Sequence, residues 1–135
     1  MAKNFSYNAK EKLKSRKQLD ELFTKGRSLS VFPIKVFFAE VKNETNAPIK
    51  AGVGVSSKHF KKAVDRNRIK RLLREVYRLN KQPLLDCLQP NKKNIAIFFL
   101  YVDKVIPEYA VLKDKMPNVI VKLIKAFNEN NISNS

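Results

Sequence analysis

Residues 51–78, AGVGVSSKHFKKAVDRNRIKRLLREVYR, carry two periods in succession. Ile49, Ala51, Val53 and Val55 alternate with Gly52 and Gly54, which is the period of a strand. After Ser57 the apolar spacing turns helical and holds to about Asn80. At 100° per residue, Ile69, Leu72, Leu73, Val76 and Leu79 share one face, while Asn67, Lys70, Arg71, Arg74 and Arg78 form a stripe on the other. Phe60, Ala63 and Val64 are out of phase with that core face, which predicts a turn or bend near residues 64–66. Between Lys58 and Arg74 stand eight lysines and arginines against one acid, Asp65. The chain has 21 Lys to 7 Arg, yet five of the arginines fall between Arg66 and Arg78. A solvated helix face needs no such bias, whereas a guanidinium offers a planar fork of donors that fits phosphate oxygens.

Outward from this segment, 135 residues suit one domain, and 44% apolar content is enough for a core. The formal charge of +16 makes a polyanion the expected partner. Ile95 to Val102 is the longest apolar run, eight residues, so no membrane span is expected. The N-terminus has no apolar signal stretch, and Cys87 is the sole cysteine. Both features fit a cytoplasmic protein, with Cys87 a bystander.

Residues 1–11 read as a flexible basic arm, 12–128 as the domain and 129–135 as a disordered tail. Leu13, Leu19, Leu22 and Phe23 share a helical face, with Ser15 and Gln18 as a capping box and Gly26 as the stop. Residues 34–41 predict a strand, KNETNAP a turn, and a hairpin with the strand at 49–55 is the simplest pairing. A further short strand fits near 27–30. NIAIFFLYV reads as a strand buried on both faces, followed by a helix from Met116 to Phe127 that carries Pro117 in its first turn behind an Asp114 cap. The order is α-β-β-α-β-α, a single α+β domain with a small mixed sheet packed by helices.

The run from Ala51 to Arg78 resembles the arginine-rich motif of the bacterial ribonuclease P protein subunit, Arg-Asn-Arg followed by a basic and apolar helix. Arg66, Asn67, Arg68, Lys70, Arg71 and Arg74 sit at matching places. The likeness extends over residues 12–127, through KLKSRKQLDELFTKG, the strand NIAIFFLYV and the terminal helix. It implies a left-handed βαβ crossover, against the usual handedness. It also implies a protein cofactor that binds a catalytic RNA subunit, one protein per RNA. That RNA, with Mg2+ bound mainly by itself, removes the 5′ leader of precursor tRNA. Within the resemblance the stripe, Arg78 included, binds the catalytic RNA, and a cleft between sheet and first helix holds the leader.

For that cleft the candidates are Phe23, Phe37 and Lys58, with Phe32 a further one, because aromatic faces stack on unpaired bases and a lysine holds the backbone. Phe38 is a further candidate as well, with core burial favoured. Leu19 stands where the family often has an aromatic, Ser57 where a second lysine is common, and Tyr101 near a frequent arginine. Asn67 is a weak metal candidate at the RNA interface and otherwise a hydrogen bonder to phosphate. No catalytic side chains are expected: His59 is the only histidine and reads as a surface residue, and the carboxylates are scattered. A structural ribosomal protein is the main alternative. A stand-alone nuclease would need clustered carboxylates, and a DNA-reading helix would need base-reading side chains that the stripe lacks.

Overall fold

The computed structural model describes residues 16–40, 49–88 and 94–133, with residues 16–18 and 129–133 as backbone only. The chain runs α1 (Arg16–Lys25), β1 (Arg27–Val31), β2 (Ile34–Glu40), β3 (Ile49–Val55), α2 (Ala63–Asn80), α3 (Gln82–Leu88), β4 (Ile95–Tyr101) and α4 (Tyr109–Ser133). The basic arm, Leu13 and the Ser15 cap lie outside the described residues. The short strand near residue 27 is present as β1 and forms a tight hairpin with β2 through Phe32 and Pro33.

The strands lie in the order β1-β2-β4-β3. β4 is antiparallel to β2, with Phe37 opposite Phe98, and parallel to β3, with Val53 opposite Phe99. The hairpin expected between β2 and β3 is therefore not formed, because β4 lies between them. The reason is visible in β4 itself. Ile95, Ala96, Ile97, Phe99 and Tyr101 are all buried, and a strand with apolar side chains on both faces stabilises the sheet most from its centre. The turn expected at KNETNAP, residues 42–48, lies outside the described residues.

One sheet face carries the main core. Ile34, Val36 and Phe38 of β2 and Ile95, Ile97 and Phe99 of β4 meet α2 and α4 across it. On α2 the buried residues are Ile69, Leu73, Val76 and Tyr77. Leu72 packs at the margin. Leu79, expected in the core, is 43% exposed, and Tyr77 takes the inward place by lying against Phe99 with ring centroids 5.1 Å apart. The break before α2 also falls earlier than expected. Residues 57–62 form the turn, Phe60 folds down beside Tyr101, and from Ala63 the helix runs unbroken, with Val64 exposed.

Two helices differ from expectation. α3 follows Asn80 almost directly, its Leu84 and Leu88 one turn apart and both buried, with Pro83 tolerated in the first turn. α4 starts at Tyr109, so Pro117 lies inside it rather than in its first turn behind Asp114. Leu112 and Met116 are fully buried one turn apart, and that burial outweighs the hydrogen bond the proline deletes. The helical backbone carries on to Ser133, past the domain end read at residue 128.

Gly26 ends α1 as expected, by a different device. None of the described glycines has a positive φ, so no left-handed cap is involved. Its N–H donates to the Leu22 carbonyl at 3.0 Å, and a Cβ there would lie 2.4 Å from the same oxygen and 3.1 Å from that of Phe38. Both obstacles are backbone and cannot rotate away. Gly26→Ala is expected to cost about 1–3 kcal/mol, by analogy with overpacking, and to lower the thermal midpoint by several degrees. An unchanged melting curve would show that the α1–β1 junction relaxes freely.

Candidate nucleic-acid interface

The first surface is the outer side of α2. Lys62 caps the helix without a side-chain hydrogen bond, and Asp65 sits in its first turn, where a negative charge suits the helix dipole. Arg66 folds back: its Nη1 donates to the carbonyls of Phe60 and Lys61, both at 2.8 Å, and so ties the preceding turn to the helix. Arg78 pairs with Glu75 at 2.6 Å, and that hydrogen bond raises its pKa further. Glu75 thus offsets one end of the stripe. Asn67, Arg68, Arg71 and Arg74 are exposed and Lys70 is half-buried. The structure therefore divides the predicted set. Arg68, Arg71 and Arg74 project into solvent, while Arg66 and Arg78 each have a local structural partner. Guanidiniums three residues apart on a helix stand at steps of about 5–6 Å, close enough to grip successive phosphates.

The second surface is the other face of the sheet. α1, ten residues and about 15 Å long, is too short to cover it. Leu22 and Ala96 are buried beneath the helix, with Leu19, Phe37, Ala39 and Phe98 around them. Phe23, 45% exposed, stands edge-on to Phe37 at 5.0 Å and to Phe98 at 5.2 Å. Phe98 is the residue the sequence reading missed. It counted β4 as buried on both faces, but Phe98 and Leu100 are only half-buried because α1 covers only part of this face. The unbroken apolar run at residues 95–102 carries no signal that separates them from Phe99 and Tyr101. Gly54 makes room for this ring, since a Cβ there would lie 2.5 Å from Phe98 Cζ.

A cation borders the aromatic trio. Lys35 Nζ lies 5.2 Å from the Phe37 ring centroid, and in the register Lys35, Leu100 and Gly54 form one row across β2, β4 and β3. Lys58 is exposed just past the end of β3, its amide donating to Ser56 Oγ. Ser57 and His59 beside it are also exposed. The structure thus joins Phe23 to Phe37 and leaves Lys58 exposed past the end of β3.

Phe32 is elsewhere. It is 64% exposed in the β1–β2 turn and lines a separate recess with Tyr101, Ile106 and Val111. Tyr101, 1% exposed, faces the main core and donates its hydroxyl to the Val105 carbonyl. Burial, aided by the charge of Asp103, pushes its pKa up to about 12, so the phenol stays neutral. The contribution of this proton to stability is complete below pH 10 and is lost as pH rises through about 12.

Among the described residues no three His, Cys, Asp or Glu side chains come together as a metal site, and no helix is long and apolar enough to cross a membrane. The cationic helix face and the aromatic sheet face are chemically distinct surfaces. The sequence profile of the family Ribonuclease P matches residues 7–104. The Ribonuclease P protein component of Porphyromonas gingivalis is 32% identical over 119 residues, covering 88% of this chain and 87% of that one. That of Borrelia turicatae is 32% identical over 113 residues, 84% and 91% of the two chains. Among solved structures, the RNase P protein from Thermotoga maritima superposes with a TM-score of 0.61 at 25% identity, covering 82% of this chain and 94% of that one. That from Staphylococcus aureus shares the fold at 20% identity, with a TM-score of 0.56 over 85% and 95% of the chains. With a profile match over most of its length and a relative 32% identical over 88% of it, the chain belongs to the ribonuclease P protein family.

Proposed function

We propose that this protein is the RNA-binding cofactor of a bacterial ribonuclease P, gripping the catalytic RNA through α2 and the unpaired 5′ leader of precursor tRNA through the aromatic sheet face. The observation that carries this reading is the separation of the two surfaces. Arg68, Arg71 and Arg74 offer charge without aromatic rings, which suits the backbone of folded RNA. Phe23, Phe37 and Phe98, with Lys35 against the Phe37 ring and Lys58 assigned to the leader backbone, offer rings with flanking charge, which suits unpaired bases. One protein thus holds an RNA and its substrate side by side. Asn67 stands among the exposed arginines as a hydrogen bonder to phosphate. Hydrolysis of the leader phosphodiester belongs, in this reading, to the RNA and to Mg2+ held by RNA phosphates, with one protein per RNA and the cytoplasm as the compartment. No step of the chemistry is assigned to side chains of this protein in this reading. Family membership displaces the ribosomal-protein alternative.

The test is cleavage of a precursor tRNA by a bacterial ribonuclease P RNA at low Mg2+, with and without the protein, beside a protein-only control. Stimulation with a silent control is expected. No stimulation by folded protein at several ionic strengths would defeat the reading, and cleavage by protein alone would defeat the assignment of chemistry to RNA. Phe37→Ala is expected to weaken binding of precursor but not mature tRNA, by about 1–3 kcal/mol for the removal of one stacking partner. Equal losses on both would remove the leader from this face.

A further inference from the structure

A second recess lies at the outer edge of the sheet, where β1 meets α4. It measures about 310 Å³ and is lined by Arg27, Ser28, Lys122 and Lys125 together with Leu29, Phe38 and Ala126. Three cations and no carboxylate line it. The Arg27 guanidinium is held in place, 5.3 Å over the Phe38 ring with Nη1 donating to the Ala126 carbonyl at 3.3 Å. Lys122 and Lys125 are exposed three residues apart on α4, so they share a face. Positioned donors of one sign around an open, shallow hollow suit a backbone phosphate.

Which nucleic acid reaches it follows from the register. Ser28 pairs with Phe37, Phe37 with Phe98 and Phe98 with Gly52, so one row crosses the whole sheet and ends at Ser28, on the lip of the recess. From Phe37 to Ser28 is one strand spacing, about 4.8 Å. The α2 helix packs instead at the opposite edge, on β3. Between the arginine helix and the recess lies α4, which packs on α2 and on β1. A single strand stacked on the aromatic face needs only to step over the β1 edge.

We infer that the Arg27–Lys122–Lys125 recess is a phosphate site for the distal part of the 5′ leader, taking the single strand after it leaves the aromatic face. This rests on the leader reading above and extends it to the far edge of the sheet. The protein then measures leader length as well as leader presence, because only a leader long enough to round the β1 edge reaches the second site. The charge in the recess makes the added affinity salt-dependent.

The experiment uses the complex of this protein with a bacterial ribonuclease P RNA and measures affinity for mature tRNA and for two precursors. One has a leader that ends on the aromatic face, the other a leader that extends past it. Lys122→Ala with Lys125→Ala is expected to lower the ratio of long- to short-leader affinity roughly fivefold and to reduce the salt slope for the long leader by about 1.4, the value for two single-strand phosphate contacts. Lys122→Arg with Lys125→Arg is expected to restore the ratio, since charge and not lysine shape is what counts. An unchanged ratio in the alanine variant, with the fold verified by circular dichroism, overturns the recess. A loss equal on both leaders overturns it too, by placing the contact on the catalytic RNA or the tRNA body. Should the unsubstituted protein fail to favour precursor over mature tRNA, the leader reading itself falls and takes the recess with it.

Discussion

Replacing Arg68, Arg71 and Arg74 together by alanine is expected to weaken binding to the catalytic RNA about a hundredfold at physiological salt while leaving the fold intact. All three side chains are exposed on α2. Removing one phosphate-binding cation lowers the slope of log affinity against log salt by about 0.9, so removing three lowers it by about 2.7. Carried from 1 M salt, where such charges contribute little, to about 0.15 M, that slope amounts to roughly two decades. Alanine is a better helix former than arginine, so α2 itself should not suffer. Lys104→Ala with Lys113→Ala removes two exposed charges from another part of the surface and separates direct binding from bulk charge. If that pair matched the arginine triple, or if the triple left the slope untouched, the stripe would be a solvated helix face and nothing more. Arg66→Ala and Arg78→Ala are different experiments, since these arginines tie a turn and pair with Glu75, and their effects would mix stability with binding.

Phe99→Ala should be the most damaging of the single core substitutions. Phe99 is fully buried on the central strand, facing Val36 and Val53 in the register and packed against Tyr77 of α2. Truncating it removes a ring from the layer that joins sheet to helices, at about 3–5 kcal/mol from reduced burial plus the cavity left behind. Against a total stability of about 5–15 kcal/mol this leaves the domain marginal. In urea the midpoint is expected to fall by about 1–5 M for a slope of about 1–3 kcal/mol/M. Phe32→Ala, at an exposed turn, should change stability by less than about 0.5 kcal/mol. A midpoint for Phe99→Ala close to that of Phe32→Ala would mean that the core is not organised around β4.

Several elements were legible because their cause is local. Alternation at Ile49–Val55 and helical spacing through Ala63–Asn80 are properties of neighbouring residues, and both elements are found where the pattern predicts them, the helix starting after a longer turn. The concentration of arginine on α2 is likewise a sequence fact, and its exposed middle, Arg68 to Arg74, is where the reading placed it. Errors arose where a residue answers to a distant partner. Tyr77 and Leu79 lie on opposite flanks of the apolar stripe, about 200° apart on a helical wheel, and only the position of Phe99 makes the tyrosine the buried one. Pro117 reads as a helix start until Leu112 is seen buried a turn earlier.

The aromatic surface shows the division most clearly. Phe23 and Phe37 could be nominated from their residue type, but Phe98 could not, because whether a strand face is covered depends on how far α1 reaches across it. Phe32, nominated with them, stands apart because a hairpin turn carries it to the other end of β1. Short-range periodicity and side-chain chemistry are enough to specify most of the element types, the excess of positive charge and the arginine helix. They are not enough to place β4 between β2 and β3, to bring together three phenylalanines from α1, β2 and β4, or to set Arg27 beside Lys122 and Lys125. These are contacts between residues far apart in the chain, chosen by competition for burial at the centre of one sheet, and that competition is settled only when the whole chain packs.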